Sequence, residues 1–220
     1  MGRNINSMRK GLAATVAAAA LLMAPTMALA HHPMGGATPA TFWHGFLSGV
    51  GHPMIGLDHF AFVVAAGIAS ALAGARLLLP ATFIAATIVG CLLASVGGLA
   101  LPLGEYAIAA SVIAVGAMVM SGSTIAPMAY ATLFAVAGLF HGGAYAEAII
   151  GAEATPLAAY LAGFALIQFA IMAGAAWASE KAEAGMARLA ASPRLAGAVV
   201  AGIGLTFFIE NVESAVFPGM

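Results

Sequence analysis

Two short stretches combine histidine, carboxylate and glycine inside otherwise apolar sequence. The first is Gly49-Val50-Gly51-His52-Pro53-Met54-Ile55-Gly56-Leu57-Asp58-His59. Two imidazoles and one carboxylate supply three donors for a borderline divalent cation such as nickel, cobalt, zinc or copper. Asp58 has an alternative task, accepting the hydrogen bond that fixes the tautomer of a ligating histidine. His52 and His59 are about two helical turns apart and share a face if the helix is continuous. Pro53 lacks a backbone donor and Gly56 tolerates an unwound backbone, so the stretch also suits a broken helix whose polar groups face a cavity rather than lipid. The second stretch is Phe140-His141-Gly142-Gly143-Ala144-Tyr145-Ala146-Glu147, where a glycine pair again loosens the chain beside a histidine. A single membrane histidine is often no more than an interhelical hydrogen-bond donor. An Asp-His pair within apolar runs is different, because ionisable groups there are costly and functional by default. His52, Asp58, His59 and His141 therefore form the candidate cation site, with Glu147 as a further donor.

Other residues offer weaker chemistry. If the leader is cleaved, His31 and His32 would carry a free α-amine next to two imidazoles, a combination suited to capturing a metal, copper especially. His44 sits beside Trp43 in a segment suited to the membrane interface. The twelve methionines read mainly as apolar packing, and Met54 is the one inside the histidine motif.

These groups are carried by a chain of 220 residues, 63% hydrophobic and 7% charged, with mean hydropathy +1.04. A soluble domain has roughly 25% charged residues, so this chain cannot solvate a globular surface. Disorder needs low hydrophobicity and high charge. A nucleic-acid binder needs a basic surplus, whereas the net charge here is −1. Cys91 is the single cysteine, which leaves no internal disulfide and no cysteine-based zinc site. The composition predicts an all-α polytopic membrane protein.

Arg3, Arg9 and Lys10, the apolar stretch Leu12–Met23 and the Ala28-Leu29-Ala30 site read as a cleaved signal peptide over residues 1–30. Residues 31–54 then form a periplasmic or interfacial segment, and residues 55–220 a domain of six transmembrane helices. The apolar runs lie near Ile55–Ala75, Leu77–Leu99, Tyr106–Met120, Ile125–Ile149, Leu157–Ala178 and Leu195–Ile209. With the N-terminus periplasmic, Arg76, Lys181, Arg188 and Arg194 all fall on the cytoplasmic side, as the positive-inside rule requires. Asp58, Glu105, Glu147, Glu153, Glu210 and Glu213 fall near the outer face, where they attract cations. One histidine stretch opens the first span of three and the other closes the first span of the next three. Three is odd, so such halves are inverted, and paired glycine-interrupted segments in two halves point to a transporter's binding site.

These motifs resemble those of the HupE/UreJ family of hydrogenase and urease accessory proteins, which are nickel or cobalt permeases. His52-x5-Asp58-His59, with Pro53 and Gly56, matches the family's first-helix motif. Phe140-His141-Gly142-x-Ala144 matches the start of its fourth-helix motif, and Gly151-Ala152-Glu153 with Thr155-Pro156-Leu157 also fits. The family pattern continues x-Gly-x-Glu, whereas here Ala146 stands at the glycine position and Glu147 arrives one residue early, about 100° of helix away. The resemblance implies a permease of the bacterial inner membrane, not an enzyme. It would import Ni²⁺, or next Co²⁺, as its substrate, with no organic cofactor. The implied surroundings are the lipid bilayer, with no nucleic acid and with metallochaperones of hydrogenase or urease maturation as partners. A copper importer of the same fold, a membrane metalloenzyme, and a metal-binding accessory using the same His/Asp site are the alternatives. For the enzyme, both HExxH and the repeated Glu-x-x-His of di-iron bundles are missing from the sequence.

Overall fold

The structure is a computed structural model that describes residues 37–184 and 193–218. The leader over residues 1–30, His31, His32 and Arg188 lie outside the described residues. Seven α-helices and one 3-10 turn make up the described chain, with no strand among those residues. In order they are α1 (Phe42–Ile55), α2 (Leu57–Leu72), α3 (Leu78–Ser95), α4 (Gly104–Ser121), α5 (Pro127–Tyr145), the 3-10 turn Ala146–Ala148, α6 (Ala154–Ala184) and α7 (Pro193–Val216).

Four helices, α3, α4, α6 and α7, are each long and apolar enough to cross a membrane. Helices α1 and α2 are too short singly, but together they make a fifth, bent by 84° at Gly56. The expected run Ile125–Ile149 becomes α5 plus the 3-10 turn. Tyr130, His141 and the glycines 138, 142 and 143 lower the mean hydropathy of α5, which does not stand among those spans. Residues 42–55, expected in the interfacial segment, form a helix capped by Thr41, whose hydroxyl oxygen accepts from the His44 amide at 3.2 Å.

Three pairs of helices pack most closely, α1 with α6, α3 with α5, and α4 with α7. Glycines make each contact, because backbones can approach only where no Cβ intervenes. A Cβ at Gly45 or Gly49 would strike the carbonyl of Pro156 or Tyr160, so α1 and α6 run parallel. A Cβ at Gly138 or Gly142 would strike Phe83 and Ala86 or Thr87, so α3 and α5 also run parallel. Gly116 meets Ala201 and Gly197 meets Met120, which makes α4 and α7 antiparallel. At the far end of that last pair, the Tyr106 hydroxyl donates to the Asn211 carbonyl at 2.8 Å. Arg76, after α2, pairs with Glu180 near the end of α6 at 2.5 Å, which places these two element ends together.

The interior holds an aromatic and aliphatic core that includes Phe62, Phe83, Phe134, Val112 and Met172. A smaller cluster gathers Cys91, Tyr145, Ile149, Tyr160 and Phe164. The distribution of polarity is inverted relative to a water-soluble protein. Asp58, three histidines and Gln168 are buried, while Leu77, Met128, Leu166, Trp177, Val199 and Leu205 are exposed. An apolar exterior of this extent is stable only in lipid, and the chain is a membrane protein.

Candidate functional site

The break at Gly56 creates the site. Gly56 has an extended backbone (φ −80°, ψ 117°), and α2 starts immediately after it with Asp58 in its first turn. A carboxylate is favoured there by the exposed amides and the helix dipole. The Asp58 Oδ1 accepts from the His59 backbone amide at 2.8 Å and from the His59 ring Nδ1 at 2.8 Å. Both residues are buried. A Cβ on Gly56 would lie 3.0 Å from Asp58 Oδ1 and 3.0 Å from His59 Nδ1, so the absent side chain makes room for the pair.

This bonding fixes the tautomer of neutral His59. With Nδ1–H donating to the carboxylate, Nε2 carries the lone pair, and that nitrogen is buried without a hydrogen-bond partner. His141 is set in the opposite sense. Its Nε2 lies 3.1 Å from the Ser111 hydroxyl oxygen, and Ser111 donates its own proton to the Ile108 carbonyl at 2.7 Å. Ser111 must therefore accept from His141 Nε2–H, which leaves the lone pair on Nδ1. That nitrogen is also buried and without a hydrogen-bond partner. The two rings touch, with centroids 4.8 Å apart. Two contacting imidazoles thus each present an unused nitrogen lone pair in the buried interior. Buried polar atoms are otherwise almost always satisfied, and unprotonated imidazole nitrogen is a good donor to nickel, cobalt, copper and zinc.

Tyr145 links this pair to His52. Its ring centroid is 5.0 Å from that of His59, 5.1 Å from His52 and 6.4 Å from His141. Its hydroxyl is buried with no hydrogen-bond partner, and its backbone carbonyl accepts from the Tyr160 hydroxyl at 2.7 Å. His52 also packs edge-on against Tyr160, at 6.2 Å. Among the described residues no three His, Cys, Asp or Glu side chains are gathered as a metal shell. His59 and His141 meet directly, Asp58 acts on His59, and His52 stands against Tyr145.

Glu147 lies elsewhere. It is exposed on the 3-10 turn and lines a cavity of about 430 Å³ together with Glu105, Phe140, Gly143 and Leu101. His44 is exposed near the start of α1. Met54 is 52% exposed, so the methionine of the motif turns largely outward. Sequence reasoning missed Tyr145 and Ser111. The only signal for Ser111 was a hydroxyl within an apolar run, and Tyr145 lay inside the second motif at a position that motif leaves open.

No solved structure matches the chain. Protein HupE of Rhizobium leguminosarum bv. viciae is 37% identical over 100 residues, a match covering 44% of this chain and 52% of that protein. The chain thus spans about half the length of this curated relative. The HupE / UreJ protein family matches residues 19–207, a range containing both histidine stretches and nearly all of the helical bundle around them. On that extent, the chain belongs to the HupE/UreJ family.

Proposed function

We propose that this protein is a permease carrying a divalent transition metal across the bacterial inner membrane into the cytoplasm. Nickel is the leading substrate and cobalt the next, and the metal supplies hydrogenase or urease maturation and its metallochaperones. The observation that carries the reading is the pair of unused lone pairs, His59 Nε2 and His141 Nδ1, on contacting rings inside a lipid-facing bundle. Two imidazoles bind such a cation, whereas a complete four-donor shell would trap it. A carrier must bind favourably enough to load and weakly enough to release. Glu105 and Glu147 in the neighbouring cavity would draw cations towards the site. Nothing in this scheme needs catalysis, so transport is preferred to an enzyme. The outward turn of Met54 favours nickel over a thioether-bound copper(I).

Helix pairing supports the six-span, two-half architecture. Exchanging the halves would replace the α1–α2 pair by α5, α3 by α6 and α4 by α7. The close pair α1·α6 then becomes α5·α3, and α4·α7 becomes itself, with parallel and antiparallel senses preserved. An inverted repeat requires that correspondence.

The test is accumulation of labelled nickel, cobalt, copper and zinc in cells carrying the protein, beside His59→Ala at equal membrane abundance. Nickel or cobalt should accumulate with the parent and not with the variant. No accumulation above background, or an unimpaired variant, would overturn the reading. Copper alone would leave the site standing and remove the nickel assignment.

A further inference from the structure

Gln168 lies in the middle of α6 and is fully buried. Its side-chain Nε2–H donates to the Phe164 carbonyl one turn back, at 3.2 Å, while its Oε1 is buried and has no hydrogen-bond partner. A buried acceptor left unmade costs about 1–3 kcal/mol. A leucine would occupy that position without the cost, so packing alone gives no reason for an amide here.

Its place in the helix suggests what the oxygen is for. Residues four apart share one stripe of a helix, and on α6 that stripe carries Tyr160, Phe164, Gln168 and Met172, all buried. Tyr160 packs on His52 and Phe164 on Tyr145, so the start of the stripe belongs to the histidine cluster. Met172 meets Gly67 of α2. Gln168 is about 6 Å further along the axis than Phe164, on the way to Glu180 and its partner Arg76.

We propose that the Gln168 amide oxygen is an inner relay for the transported cation, between the His59–His141 pair and the Arg76–Glu180 end of the bundle. This rests on the permease reading. A neutral carbonyl oxygen is a poorer donor to nickel or cobalt than imidazole. It therefore receives an ion leaving the histidines and does not hold it.

The experiment uses the full chain, with nickel binding measured by calorimetry in detergent and labelled nickel uptake measured in proteoliposomes. Gln168→Leu should keep the parent's affinity and match or exceed its melting temperature, since the unmade acceptor is gone, while uptake falls about tenfold. Gln168→Asn, which keeps a neutral amide oxygen one methylene nearer the helix axis, should transport well above Gln168→Leu. Parental uptake by Gln168→Leu overturns the relay and leaves the permease reading intact. A fall in affinity or melting temperature alongside uptake assigns Gln168 to the outer site or to packing, and also overturns it. The same holds if Gln168→Asn is no better than Gln168→Leu. Absence of uptake by the parent overturns the permease reading itself.

Discussion

Asp58→Asn tests whether the carboxylate works through His59 or only by filling space. Asparagine keeps an Oδ1 that can accept from the His59 amide and from His59 Nδ1–H, both 2.8 Å away in the parent. The fold should survive. By contrast, Asp58→Ala would leave two buried donors unmade, at about 1–3 kcal/mol each. What asparagine loses is the charge. A hydrogen bond to an ionised group is roughly twice as strong as a neutral one, and the carboxylate also makes the ring a stronger donor to a metal. Removing such a partner of a ligating histidine typically costs about 10–100-fold in metal affinity, or about 1.4–2.8 kcal/mol. Calorimetry of the purified protein with nickel should show that loss, with a melting temperature close to the parent's. Nitrogen-15 spectra of histidine-labelled parent should show His59 protonated on Nδ1 and bare on Nε2. An Nε2–H tautomer in the parent, or an Asp58→Asn variant that binds nickel as tightly as the parent, would refute the reasoning.

Gly56→Ala would place a methyl group 3.0 Å from both Asp58 Oδ1 and His59 Nδ1; nickel uptake should fall while membrane abundance, followed by immunoblot, stays at the parent level. Tyr145→Phe removes a buried hydroxyl that has no hydrogen-bond partner, so thermal melting should show no loss of stability, and a marked drop would mean that the hydroxyl is bonded. Acid should weaken nickel binding, because a proton on His59 Nε2 or His141 Nδ1 occupies the lone pair the metal needs. Isotherms across a pH series should therefore show affinity rising with pH, and the opposite slope would exclude imidazole ligation.

The membrane class was legible from composition, because 63% hydrophobic and 7% charged residues leave no soluble alternative. The broken helix was legible too: Gly56 and Pro53 announced it, although the bend falls at Gly56 and Pro53 remains inside α1. Local sequence could also nominate His52, Asp58, His59 and His141, since each is a polar group in an apolar run. Their relations to one another were a different matter. A spacing of seven positions from His52 to His59 implied a shared face only for a continuous helix, and the 84° bend removes that face. His141 is oriented by Ser111, 30 residues away on another helix. Tyr145, silent in the sequence, touches His52 and His59 from α5. Glu147 was nominated beside His141 but stands on a 3-10 turn in a cavity wall, because the helix ends at Tyr145. Periodicity reports which residues lie together on one helix. Which helices meet depends on where glycines let two backbones approach, and that is decided only when α3 closes on α5, α1 on α6 and α4 on α7.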